Sequence, residues 1–311
     1  MARQWIRSVH LTAEGGSGKI DLSTLRIRFD VEQDTLQSPN VLDATITNVS
    51  KQTGKRFIDG EFKKVTLSAA YEENEAVIFE GNIIQSRYGR ETPTETYLNL
   101  RCGDGDKAYN FSVVKKTLGS GSTGRDVYNA LLDSMKPLDV AQGFVTDALA
   151  KLKFPRPVVL YGNTKDMLRT LAHSVDATWS IQNGKLDMVG KQETKPGDTV
   201  VLNAATGMIG MPEQTAGGII VRALINPQIA VSRKIKLDNS SIQMAKYDAS
   251  FFGDIKNAKL PSLDADGLYK VLKIKWQGDT RGNAYYMTLW CIAQSGGGWV
   301  PTNLVPYLGK S

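Results

Sequence analysis

The sequence predicts a mainly β protein with an α+β insertion, and three observations carry that expectation. Near both ends, short runs rich in β-branched residues alternate apolar and polar side chains, as half-buried strands do. Between about residues 119 and 197 the apolar spacing changes to that of amphipathic helices. The third is self-similarity. Laid together without a gap, the stretches Gly89 to Cys102 and Gly278 to Cys291 share the glycine, Tyr97/Tyr286, Leu100/Leu289 and the cysteine. The strands before them keep their order, residues 44–48 answering 222–226 and residues 64–67 answering 234–237. Such repetition marks a duplicated unit, here a small antiparallel barrel or sandwich.

The elements follow in order. Residues 5–11 lead to a Gly15-Gly16-Ser17-Gly18 turn, and residues 25–29 alternate cleanly. Ser38-Pro39-Asn40 breaks the chain before a strand over 42–49, and residues 51–60 form a polar loop or a short helix. Strands over 65–69 and 76–79 flank the acidic Glu72-Glu73-Asn74-Glu75 turn, and strands over 83–88 and 97–102 close the first unit. In the insertion, Thr123 or Ser122 caps a helix with Val127, Leu131, Leu132 and Met135 on one face, and Pro137 ends it. A second helix is expected over 139–151, grouping Val140, Phe144, Ala148 and Leu152. After the extended Phe154-Pro155-Arg156-Pro157 and a strand over 158–161, Thr164 caps a third helix with Met167, Leu168, Leu171 and Val175 inward. Asn183-Gly184 then joins two strands in a hairpin.

The last unit begins with residues 219–225, stopped by Pro227, and continues with the alternating 233–237. Leu272, Ile274 and Trp276 share one face of the next run, with Lys273 and Lys275 on the other; a turn over 278–283 returns the chain to 285–292. Residues 296–311 carry Trp299, Val300, Leu304, Val305, Tyr307 and Leu308, too apolar for a solvated linker and suited to docking on the same barrel or a neighbouring chain. The expected division is a first barrel over 1–118, an α+β module over 119–197, a second barrel over 198–295 and a tail over 296–311.

At 311 residues the chain is long enough for about two cores, with 41% hydrophobic and 23% charged residues as in ordinary globular proteins. Two cysteines far apart in sequence do not make a disulfide framework, and their strand pattern makes each a buried, inert thiol. Two histidines, His10 and His173, leave no cluster for a transition metal. No apolar run reaches membrane-spanning length, and the charged N-terminus lacks a signal-peptide core, so the expectation is a chain made and folded in a cytoplasm. The net charge of +6 is spread over outward strand positions rather than gathered into a nucleic-acid patch.

Candidate chemistry is thin. Gly119 to Asp126 has the outer spacing of a phosphate-binding loop, but Arg125 and Asp126 stand where Lys and Ser/Thr are needed; it reads as a turn with a helix cap. Gly103-Asp104-Gly105-Asp106 lacks the later ligands of a calcium loop and reads as a turn. His173, Ser174 and Asp176 diverge on a helix, and Glu72, Glu73 and Glu75 sit at a loop tip. No catalytic, cofactor-binding or metal-binding set is assigned.

Taken in order, several pieces resemble the baseplate hub proteins of contractile-tailed bacteriophages, related to the late-control and Mu-like hubs. They are Asn40…Ala44-Thr45-Ile46-Thr47-Asn48, Ile78-Phe79-Glu80-Gly81, Gly103-Asp104-Gly105-Asp106-Lys107-Ala108, Gly162…Met167-Leu168…Leu171-Ala172, and Trp179 through Leu186. In the last unit they are Thr206-Gly207 through Glu213, Leu224-Ile225-Asn226-Pro227, Tyr269-Lys270-Val271-Leu272 and Gly278 through Asn283. The resemblance runs from about residue 25 to 293 and leaves out the N-terminal segment and the tail.

It implies two tail-tube-like barrels per chain and a homotrimer whose six similar units ring a central channel. Such a ring lets a threefold spike meet a sixfold tube. The implied partners are further copies of the chain, the tail tube protein, the spike protein, and the tape measure and other baseplate proteins, with DNA only as passing cargo. The implied location is the virion tail baseplate, assembled in the bacterial host cytoplasm. Outward residues Lys234, Lys236, Lys273 and Lys275, with Trp299 and Tyr307 of the tail, are the candidate interface positions. The net positive charge departs from what a DNA conduit needs in its lumen, so the excess is expected on the outer surface or against acidic partners. The alternative is a tail-associated cell-wall- or carbohydrate-active β protein.

Overall fold

The computed structural model describes residues 6–16, 18–71, 75–215, 218–244, 263–264 and 266–294. The first unit contributes β1 (Arg7–Gly15), β2 (Gly18–Asp21), β3 (Ile27–Asp34), β4 (Val41–Thr47), helix α1 (Lys51–Ile58), β5 (Phe62–Tyr71), β6 (Val77–Arg90) and β7 (Thr96–Gly103). Next come α2 (Asp106–Phe111), β8 (Val113–Leu118), α3 (Gly124–Met135), β9 (Ala141–Val145), α4 (Ala148–Lys151), β10 (Val158–Asn163), α5 (Thr164–Ser174), β11 (Ala177–Gln182) and β12 (Lys185–Gly190). The last group is β13 (Val200–Leu202), β14 (Glu213–Thr215), β15 (Gly218–Leu224), β16 (Lys234–Leu237), β17 (Gln243–Met244), β18 (Leu268–Asp279) and β19 (Tyr285–Ala293). Mainly β with an α+β insertion is the architecture observed.

Alternation decides which way the strands face. In β3, Ile27, Phe29, Val31 and Gln33 are buried while Arg28, Asp30, Glu32 and Asp34 stay partly open. The two β units are not separate bodies. Among the described residues their fourteen strands form one sheet, joined where β18 pairs antiparallel with β3. One continuous apolar core runs beneath it, from Leu11, Ile27 and Leu100 to Val221, Trp276 and Leu289. Each such buried aliphatic side chain contributes about 1.5–3 kcal/mol.

The insertion has its own core around Tyr128, Leu131, Leu168, Trp179 and Met188. That core starts upstream of residue 119, because Ala108 of α2 and Val114 of β8 belong to it and β8 pairs with β10. Thr123 caps α3 in a reciprocal box with Asp126: Asp126 N donates to the Thr123 hydroxyl, and Thr123 N donates to the Asp126 carboxylate.

Three expectations are corrected. The helix expected over 139–151 is replaced by strand β9 and the four-residue α4. Parallel pairing of β9 with β12 satisfies its backbone, and the Phe144 amide donates to buried Asp187. Thr164 does not cap α5; Asn163 holds the cap position, and Thr164 is buried with its hydroxyl 2.7 Å from that of Ser134. Leu272 does not share the inward face with Ile274 and Trp276. A bulge between Val271 and Lys273 shifts the alternation, so Val271 takes the core position.

Candidate assembly interface

The hydrogen-bond registers show how far the two units follow one plan. Cys102 lies opposite Ile83 and Leu42; Cys291 lies opposite Val271 and Ile219. Each long strand then bulges at the next residue, Ile84 in β6 and Leu272 in β18. Further along, Leu100 faces Ser86 as Leu289 faces Ile274, and Leu98 faces Tyr88 as Met287 faces Trp276. On the other side Lys64 faces Asn82 as Lys234 faces Lys270, each pair one step before the cysteine's partner. The cysteine and Lys64/Lys234 matches made from sequence hold in register.

Two other matches slip by one residue. Gly89 faces Tyr97, whereas Tyr286 faces Gln277; the second turn is one residue longer, so Gly278 stands where Arg90 does. Likewise Ala44, opposite Leu100, corresponds to Val221, opposite Leu289, rather than to Arg222. A one-residue slip exchanges the two faces of a strand, so only the structural register assigns core positions correctly. The units also differ at the outside, where β1 is antiparallel to β5 but β13 is parallel to β16.

The joint between the units is polar on its outward face. Lys273 Nζ lies 2.9 Å from Glu32, and Lys275 Nζ lies 3.2 Å from both Asp30 and Glu32. Hydrogen bonding to Lys273 holds the Glu32 carboxyl below its usual range. At the far end Arg26 grips Asp279 through Nε and Nη2, 3.1 and 2.7 Å, and lowers the Asp279 carboxyl. On the inner side Trp276 donates to Gln33, and the buried Tyr285 hydroxyl donates to the carbonyls of Ser8 and Ala70. Thus Lys273 and Lys275 serve the joint inside this chain. Lys234 and Lys236 lie on β16, the first partly buried and the second exposed, while Trp299 and Tyr307 lie outside the described residues. Sequence reading missed Asp30 and Glu32, although their alternation with Phe29 and Val31 complements that of Lys273 and Lys275 with Ile274 and Trp276.

The insertion is fastened by buried polar groups. Asp104, fully buried, accepts from the amides of Asn183 and Gly184 at 2.6 and 2.9 Å, so the two turns noted in the sequence meet. Burial pushes its carboxyl up to about 7. Asn40 donates to the Ile181 carbonyl at 2.9 Å, and Gln182 to that of Asp34 at 2.7 Å. From the second unit, buried Lys270 donates to the carbonyls of Gly190 and Lys191 at 3.1 and 3.0 Å. Burial lowers its ammonium to about 8, against a nearby Glu193. A mostly apolar cavity of about 280 Å³ lies at this junction, lined by Leu36, Thr178, Leu272, Trp290 and Ile292.

The remaining candidates do not converge. His173 is exposed on α5, Asp176 pairs with Lys191 at 2.6 Å, and Glu75 lies against Ser8 and His10. Glu72 and Glu73 lie outside the described residues. Among the described residues no cluster of three or more His, Cys, Asp or Glu side chains is placed to hold a metal, and no helix is long and apolar enough to cross a membrane. Both cysteines are buried and free, and burial raises each thiol.

The chain has the fold of solved bacteriophage tail proteins. A tail protein from Neisseria meningitidis MC58 matches with a TM-score of 0.59 at 10% identity, covering 96% of this chain and 98% of that one. A 43 kDa tail protein of prophage MuSo2 from Shewanella oneidensis matches at 0.58 and 10% identity, covering 93% and 98%. An E. coli protein, described as a type VI secretion component with structural similarity to the T4 tail proteins gp27 and gp5, matches at 0.56 and 11% identity, covering 89% and 77%. No family model and no curated protein matches the sequence.

Proposed function

We propose that this chain is a non-enzymatic structural hub of a phage tail baseplate. Three copies close a ring of six similar β units that adapts a sixfold tube to a threefold spike and lines the central channel. The shared register of the units ending at Cys102 and Cys291 carries the proposal, because two equivalent units per chain are what a threefold ring needs to present sixfold contacts. The likeness to solved tail proteins supports the same role.

On this proposal the two β units form the ring, the module that begins with α2 and β8 hangs from it, and the tube and spike proteins are the neighbours along the axis. Lys234 and Lys236 on β16 are proposed contacts with those neighbours. The test is the mass of the hub in native tail particles, measured after gentle dissociation. Three copies per particle are expected, and a strict monomer would end the proposal.

A further inference from the structure

Two stretches of the insertion lack any carboxylate. Residues 107–125 and 148–165 carry eight Lys and Arg and no Asp or Glu, more positive charge than the whole chain's net +6. In sequence, most of α3 and all of β9 stand between them. The fold zips them together. β8 pairs with β10 from Val113 opposite Asn163 to Leu118 opposite Val158. Beyond that ladder Thr123 bridges Lys153, and the amides of Gly121 and Gly124 donate to the carbonyls of Phe154 and Leu152, each at 2.8 Å. Charges that the sequence scatters are thereby gathered on one side of the module. Of the eight, only Lys116 has an ion pair among the described residues, with Asp133 at 3.8 Å.

Alternation gives this ribbon two faces. Val114, Leu118, Val158 and Leu160 turn into the core of the insertion. The outer face holds three directly opposed pairs, Val113 with Asn163, Lys115 with Tyr161 and Thr117 with Val159, all of them exposed. Val113, Val159 and Tyr161 are 51%, 68% and 70% exposed, and Phe111, just before β8, is 73% exposed. Lys115 Nζ lies 5.8 Å over the Tyr161 ring. Large apolar side chains this open, gathered at one place, mark a docking surface rather than ordinary scatter.

We propose that the outer face of the β8–β10 ribbon docks a partner protein whose surface carries apolar side chains bordered by Asp and Glu. The mixture on the ribbon decides the class of partner. The phosphates of a nucleic acid would satisfy Lys and Arg but offer nothing to Val113 and Val159, whereas a protein interface has an apolar centre within a polar rim. The unpaired charge decides the sign. A neutral or basic surface laid over Lys115 would strip its water and give nothing back, while a carboxylate supplies the missing pair. The proposal rests on the chain's role in a tail and names a neighbour held by the insertion rather than by the β units; it requires no particular number of copies in the ring.

The test is site-specific photo-crosslinking in assembled tails, with a benzophenone side chain replacing Val159 in the full chain. Mass spectrometry of the digested product should find that position joined to a peptide of another tail protein with Asp or Glu beside apolar residues. Adding Lys115→Glu or Tyr161→Ser should lower the yield about tenfold or more. Both side chains are exposed, so neither change removes a core contact. A product joined to nucleic acid, lipid or a second copy of this chain overturns the proposal, as does a yield that ignores Lys115→Glu. So does the absence of any product in tails that contain the chain. Tails that lack the chain altogether overturn the functional reading itself.

Discussion

Lys270→Met tests the junction between the second β unit and the insertion through its pH dependence. Lys270 is 3% exposed and has two backbone carbonyls as partners, and among the described residues no carboxylate is bonded to it. Burial lowers its ammonium from 10.5 to about 8. Below pH 8 both folded and unfolded chains carry the charge, and the folded state bears the full cost of burying it. Between about 8 and 10.5 the folded chain has released its proton while the unfolded chain keeps it, so stability rises with pH across that window. At about 1.36 kcal/mol per unit, wild type should gain about 3 kcal/mol over the methionine variant between pH 7 and 10.5. Loss of the two carbonyl contacts is common to all pH values and cancels in the slope. Urea unfolding of both proteins at steps across the range gives the difference directly. A difference that stays flat would mean that Lys270 is solvated, and that the insertion does not seat on β18 as described.

Asp104→Asn should show the opposite slope in the acid range. Burial raises the Asp104 carboxyl from 3.8 to about 7, so the folded state takes up a proton first and wild type loses about 4 kcal/mol relative to the asparagine variant as pH rises through that window. A rising or flat difference in the same unfolding measurement refutes the assignment. Leu289→Ala removes a side chain with no exposed surface from between Val221 and Ile274, and should cost about 2–5 kcal/mol by chemical denaturation. A loss below about 1 kcal/mol would place Leu289 outside the shared core.

Much of the fold was legible because strand alternation is strict. Residues 25–29, 233–237 and 285–292 announced their inward faces, and Asn183-Gly184 announced its hairpin. Thr123 and Asp126 fixed the start of α3 at a spacing of three, which depends only on local geometry. Where the reading failed, a distant partner had decided the outcome. Residues 141–145 have a helical pattern, yet pairing with β12 makes them a strand. The bulge at Leu272 carries no sequence mark and moves every side chain before it to the other face.

By itself the sequence determined that this chain folds two β units of one plan around a helical insertion, since period-two burial and the recurring spacing up to Cys102 and Cys291 are properties of neighbouring residues. Only the tertiary structure decided that the units share one sheet through β3 and β18, and that Asp30 and Glu32 meet Lys273 and Lys275. Those facts join residues more than two hundred positions apart, and register across a sheet is set by the paired backbone and the packed core together rather than by local pattern.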